Sequence, residues 1–129
     1  MKVYLAGGIV SNWQDRVVEA APDDEYLDPR NHGLTDEKMY TQWDLAAIRE
    51  ADIIFAYLEA DNPAGHNMAF ELGFAHALGK PILFVNESQK FERFVGMLRA
   101  VSQAYFNNFD DALAYFSKNR GVKSTLSSC

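Results

Sequence analysis

Asp52-Ile53-Ile54-Phe55-Ala56-Tyr57-Leu58 is the stretch on which the fold of this chain turns. One acid is followed by an unbroken run of aliphatic and aromatic residues. A strand with one face in water alternates apolar and polar side chains. A continuous run fits a strand covered on both faces, as in a parallel sheet flanked by helices. Residues 66–78 then read as a helix, stopped by Gly79 and Pro81. Pro81-Ile82-Leu83-Phe84-Val85 is a second buried strand. Strand, helix and strand in this order make one parallel crossover unit.

The same alternation extends in both directions. Val3-Tyr4-Leu5-Ala6 is a first strand, ended by Gly7-Gly8. Ser11-Asn12-Trp13-Gln14 matches a capping box, with Ser11 as the cap and Gln14 reaching back. It predicts a helix to about Ala21, with Trp13, Val17 and Ala20 or Ala21 on one face. Residues 25–27 form a short second strand. Asp28-Pro29-Arg30-Asn31-His32-Gly33 is dense in turn residues. A helix begins near Thr35, with Asp36 and Glu37 favoured by its N-terminal dipole, and carries a stripe of Met39, Trp43, Ala46, Ala47 and Ile48. An amphipathic helix is expected over residues 90–100 and a last strand over 103–106. Asn107 or Asn108 caps a final helix through Phe116.

This order predicts an α/β fold: a flavodoxin-like (Rossmann-like) three-layer sandwich with a five-stranded parallel sheet. Ligands of such sheets sit beyond the carboxyl ends of the strands. The loops after Ala6, Leu27, Leu58 and Val85 should therefore ring one crevice. Residues 1–118 are expected to form the domain and residues 119–129 a loose tail.

The chain has 129 residues and a formal charge of −6, from 12 basic and 18 acidic side chains. That length suits one domain, so any composite active site needs a second copy. The acidic balance argues against nucleic acid or an anionic membrane as partner. Cys129 is the one cysteine, which excludes an internal disulfide and a cysteine-based zinc cluster. The first strand is too short for a signal peptide, and no apolar run approaches a membrane span. A cytoplasmic protein is expected.

Four features can carry chemistry. Gly7-Gly8 permits close approach of a ligand to the backbone, without the spacing of a dinucleotide or P-loop fingerprint. Glu71 stands in Met68-Ala69-Phe70-Glu71-Leu72-Gly73-Phe74-Ala75, an unusually apolar setting for a carboxylate. A partly desolvated glutamate can serve as nucleophile at an acetal-like carbon, and Gly73 is expected to allow close backbone approach beside it. Asp44 interrupts an otherwise helical stripe. The loop Asp61-Asn62-Pro63-Ala64-Gly65-His66-Asn67 can bind sugar hydroxyls or act as a plain connection, with His66 or Asn67 as a cap. Each acid has an ordinary alternative as a surface charge. The three histidines, His32, His66 and His76, lack metal-binding spacing.

Tyr4-Leu5-Ala6-Gly7, Asp28-Pro29-Arg30-Asn31, Asp44-Leu45 before Ala51-Asp52-Ile53, Glu71-Leu72-Gly73-Phe74-Ala75 and Gly79-Lys80-Pro81 occur in this order. Together they resemble the nucleoside 2-deoxyribosyltransferase family, with relatives that hydrolyse nucleoside 5′-monophosphates. The resemblance spans about residues 2–116 and is most specific over residues 44–85. It implies a flavodoxin-like fold and cleavage of an N-glycosidic bond, with no metal or organic cofactor. Glu71 matches the nucleophile that forms a covalent deoxyribosyl-enzyme, Tyr4 the tyrosine that orients it, and Asp44 the acid at the nucleobase. Asn31 or His32 falls at the base edge. Gly7, Gly8, Gly65 and Met68 complete the implied substrate-binding set.

Two departures stand out. The family pattern Asp-x-Gly-Thr-x-x-Glu has an aspartate six residues before the nucleophile, where this chain has Gly65. Asp61 or Asn62 then takes the sugar-binding role. Transferases also place an asparagine in the fourth helical segment to complete a neighbouring subunit's site, where this chain has Val95 or Gly96. The monophosphate hydrolases use a serine there and a basic residue in the first loop, near which Ser11 and Arg16 lie.

The leading expectation is a nucleoside 2-deoxyribosyltransferase acting on nucleosides and nucleobases, homo-oligomeric with a shared site. Phe91, Phe94, Met97 and Leu98 would serve either an interface or the monomer's own core. An N-glycoside hydrolase of (deoxy)nucleoside 5′-monophosphates and a non-catalytic nucleotide-binding module are the alternatives.

Overall fold

The computed structural model describes residues 1–61 and 65–118, without the side chain of Phe91. Asn62 and the tail at 119–129 lie outside the described residues. The strands are β1 (Lys2–Gly7), β2 (Glu25–Leu27), β3 (Ile53–Leu58), β4 (Ile82–Asn86) and β5 (Ala104–Phe106). The α-helices are α1 (Trp13–Ala20), α2 (Glu37–Glu50), α3 (Gly65–Ala77), α4 (Gly96–Ala100) and α5 (Phe109–Lys118). Short 3-10 segments occupy Pro29–Asn31 and Gln89–Phe94. All strand pairs are parallel, in the order β2-β1-β3-β4-β5. That is the flavodoxin-like order, with its switch point between β1 and β3.

The period-two geometry of a strand divides the core in two. Val3, Leu5, Ile53, Phe55, Leu83 and Val85 point to one face and pack with Trp13 and Val17 of α1 and Phe109, Ala112 and Phe116 of α5. Tyr4, Ala6, Ile54, Ala56, Ile82 and Phe84 point to the other, against Ala47 and Ile48 of α2 and Met68, Leu72 and Ala75 of α3. Every residue of β3 is buried, as its unbroken apolar run requires. Burying one such large apolar side chain is worth about 1.5–3 kcal/mol. Tyr4 and Glu71 therefore belong to the same layer, the one under α2 and α3.

The loop after β1 departs from the capping-box expectation. Asn12, not Ser11, precedes α1; it takes φ 59° and makes no side-chain cap bond. Gln14 turns inward instead and is fully buried. Its Nε2 donates to the Gly8 carbonyl at 3.0 Å, alongside Trp13 Nε1 at 2.8 Å. The physical reason is the buried Gly8 carbonyl, which has left the sheet ladder and needs donors. Gly7 adopts φ +147°, and a Cβ there would lie 2.5 Å from the Tyr57 carbonyl oxygen. Only glycine fits this position.

Other boundaries shift for local reasons. Asp36 caps α2 by accepting from the Met39 amide at 3.0 Å, so the helix starts after Thr35. α3 begins at Gly65, which places His66 and Asn67 inside its first turn rather than at its cap. The helix expected over residues 90–100 is broken at Val95, which is buried, into a 3-10 segment and the short α4. Glu92 anchors that segment to the sheet, accepting from Asn86 Nδ2 at 2.9 Å and the Tyr105 hydroxyl at 3.1 Å. Asn108 is the asparagine that caps α5, through the Asp111 amide at 2.9 Å. Among the described residues, no helix is long and apolar enough to cross a membrane.

Candidate active site

Tyr4, Asp44 and Glu71 come from β1, α2 and α3 and converge on one face of the sheet. Tyr4 is completely buried in the middle of β1. Its hydroxyl donates to Glu71 Oε2 at 2.5 Å. Glu71 faces inward from the second turn of α3, and its carboxyl and that of Asp44 are close enough to share a hydrogen bond. Two carboxyl groups in such contact cannot both be ionised at low cost. Burial pushes Glu71 up to about 8; the Tyr4 hydrogen bond opposes this, and the neighbouring Asp44 adds to the rise. Burial also raises Asp44, against the pull of His32 and Glu71. Tyr4 is raised as well, by burial and then by the adjacent Glu71, so it stays a donor. Burial thus favours a proton on this pair, and the contact between the two carboxyls opposes its complete ionisation.

His32, in the loop after β2, brings its Nε2 to 3.5 Å from Asp44 Oδ1. Its ring stands edge-on to Trp43, with centroids 4.9 Å apart. Asp44 Oδ1 is buried and has no hydrogen-bond partner at normal distance. Asn31, next to His32 in sequence, is exposed, as are Asp61 and His66. Met68 is buried one turn before Glu71, in the core beside Tyr4. Gly65 opens α3 against Leu58, its Cβ direction 3.5 Å from Leu58 Cδ1. Gly8 lies buried in the loop after β1. Gly73 does not mediate close packing: a Cβ there would meet nothing within 4 Å. It sits on the solvent side of α3, away from the face that carries Glu71.

Several residues that shape the site carried no role in the sequence reading. Asp28 is buried at the end of β2 and accepts from the Arg30 amide, Nε and Nη2 at 3.0, 3.0 and 2.7 Å. Arg30 Nη2 also reaches Asp15 of α1 at 2.9 Å, and Nη1 reaches Asn12 Oδ1 at 3.4 Å. One guanidinium thus ties the loop after β2 to the loop after β1. The Asp-Pro-Arg triplet held the signal: an Asx turn with proline at the first 3-10 position and a cation two residues on. Arg16 is engaged as well, paired with Asp110 and lying over the Phe109 ring. Among the described residues, no group of three or more His, Cys, Asp or Glu side chains could hold a metal ion.

The order of strands defines a flavodoxin-like α/β protein, and the tyrosine-braced carboxyl pair beside the switch point is its candidate site. The model of the nucleoside 2-deoxyribosyltransferase family matches residues 3–112, and the chain belongs to that family. No curated protein sequence matches it. Among solved structures, it is similar to a 2-deoxyribosyltransferase from Bacillus psychrosaccharolyticus, at 24% identity and a TM-score of 0.70, over 88% of this chain and 90% of that one. A 2-deoxyribosyltransferase from Leishmania mexicana gives 24% identity and a TM-score of 0.69, over 92% and 98%. The CMP N-glycosidase BcmB from Clostridium botulinum gives 20% and 0.63, again over 92% and 98%. At these identities the likeness establishes the fold.

Proposed function

We propose that this protein is a nucleoside 2-deoxyribosyltransferase in activity as well as in family. The observation that carries the reading is Glu71, held by the Tyr4 hydroxyl at 2.5 Å and in contact with Asp44. In the first half-reaction the ionised Glu71 attacks C1′ of a 2′-deoxynucleoside. The C1′–N bond breaks, its electron pair goes to the base, and Asp44 protonates that base. The sugar is left as an ester of Glu71. A second nucleobase then attacks C1′, Glu71 departs as a carboxylate, and Asp44 takes back the proton of the incoming base. The shared proton suits this cycle. Moving it from Glu71 to Asp44 frees the nucleophile and arms the acid in one step.

A nucleoside without phosphate is the better match for the crevice. Arg30 is committed to Asp28 and Asp15, and Arg16 to Asp110. Neither basic side chain near the first loop is free to hold a 5′-phosphate. Hydrolysis of a nucleoside monophosphate is the second reading, favoured by the likeness to the CMP N-glycosidase and by Val95 and Gly96 at the place of the transferase asparagine. Incubation with deoxyinosine and free adenine separates the two. Deoxyadenosine is expected; base and sugar phosphate released from a monophosphate, without transfer, would replace the first reading by the second.

A second copy of the chain is proposed to close the crevice. Ile9, Val10, Phe94 and Met97 are 60%, 84%, 66% and 84% exposed and follow β1 or β4 on the side of the strand carboxyl ends. The monomer leaves Phe94 and Met97 uncovered, which favours the interface role expected for that stripe. Light scattering should give a dimer or larger, and the double substitution Phe94→Glu with Met97→Glu should yield monomers with reduced transfer. A monomeric wild-type protein with full activity would sink this assignment.

A further inference from the structure

His32 has geometry that a base-edge contact does not explain. Its Nδ1 accepts the Leu34 amide proton at 2.9 Å. A ring nitrogen that accepts a hydrogen bond carries no proton, so the proton of the neutral ring sits on Nε2. That N–H faces Asp44 Oδ1 at 3.5 Å, and the ring is braced by the edge contact with Trp43. Oδ1 is buried and otherwise unsatisfied. The ring itself is little exposed, with 11% of its side chain accessible.

We propose that His32 is a positioning residue for the acid: its Nε2–H, fixed by the Leu34 amide, keeps Asp44 Oδ1 unprotonated and places the transferable proton on Oδ2. The reasoning is that of donors and acceptors. A carboxyl hydroxyl oxygen accepts a hydrogen bond more weakly than a carbonyl or carboxylate oxygen, so an N–H opposite Oδ1 favours the proton on Oδ2. The groups around Asp44 are His32 from the loop after β2, Glu71 from α3 and, through Glu71, Tyr4 from β1. Of these, His32 and Tyr4 are standing donors, Tyr4 to Glu71, and Glu71 donates to Asp44 only when it holds the shared proton. Among the described residues, His32 is therefore the standing donor that distinguishes the two Asp44 oxygens. In turnover the Oδ2 proton passes to the leaving base as the C1′–N bond breaks, and His32 keeps its own proton. Closing the 3.5 Å gap to normal hydrogen-bond length would strengthen the hold as charge builds on Asp44.

This inference rests on the transferase reading, and its test separates the two. The substrates are deoxyinosine, whose base needs a proton to leave, and 7-methyl-2′-deoxyguanosine, whose cationic base leaves without one. His32→Phe keeps the ring against Trp43 and removes both nitrogens; His32→Gln restores a donor amide. For His32→Phe, kcat on deoxyinosine should fall by about 100-fold, while the methylated nucleoside should lose far less. His32→Gln should recover much of the loss, with KM little changed in both variants. Turnover of the methylated substrate reports that each variant is folded. Equal losses on the two substrates would overturn the proposal while leaving the transferase reading intact. Nitrogen-15 shifts that place the His32 proton on Nδ1 would also overturn it. A wild-type protein that cleaves neither nucleoside would overturn the proposal and the reading together.

Discussion

Glu71→Ala protein should lose at least about 10⁴-fold in transfer, the scale seen when a covalent nucleophile is removed. It should remain folded. Glu71 is not part of either apolar cluster, and its loss relieves a carboxyl that burial has already pushed up to about 8. The direct measurement is mass spectrometry of wild-type protein quenched during turnover of deoxyinosine. A deoxyribosyl adduct should appear on the peptide carrying Glu71 and be absent from Glu71→Ala. Phosphate in the adduct mass would move the substrate to a monophosphate. A fully active Glu71→Ala protein would end the mechanism.

Asp44→Asn should have the next largest effect, about 10²- to 10⁴-fold on natural nucleosides, because an amide cannot protonate the departing base. The pH dependence follows from the shared proton. On the proposed mechanism the working form carries one proton on the Asp44–Glu71 pair; burial pushes Glu71 up to about 8, and above that pH both carboxyls ionise and the acid is lost. Turnover of deoxyinosine should therefore fall as pH rises through about 8. Turnover of an N7-methylated nucleoside, which needs only the ionised nucleophile, should hold or rise. In Asp44→Asn the neighbouring carboxyl no longer pushes Glu71 up, so its pKa should drop, although burial still keeps it raised. A deoxyinosine profile that climbs steadily beyond pH 9 would contradict the shared-proton account.

How much of this was legible in the chain depends on the range of the interaction. The strand Ile53–Leu58 declared its burial on both faces, because every side chain in it had to avoid water. Glu71 was legible as a lone acid in an apolar helix, and Asp44 as a break in a stripe. Their contact was not legible, since it depends on how α2 and α3 lie on the sheet. The capping box at Ser11 failed because a buried backbone carbonyl at Gly8 outbid the helix terminus for the Gln14 amide. The break at Val95 failed for a similar reason: packing of one buried residue overrode a continuous amphipathic pattern. Arg30 was legible only in part. The Asp28-Pro29-Arg30 triplet signalled its turn, whereas Asn12, before α1, and Asp15, in α1, reach it only because the strand order sets β2 beside β1.

Tyr4 has one further consequence, for how such a protein can evolve. The residue is part of an interior strand, β1, and fully enclosed, yet its hydroxyl is the brace on Glu71. On the proposed mechanism catalyst and scaffold are the same atoms, so drift in the packing around Tyr4, at Ala6, Ile54 or Leu72, is felt at once as a displaced carboxylate. Innovation is channelled outward. New specificities can arise in the connections that rim the sheet, whereas the reaction itself is inherited with the core and lost with it.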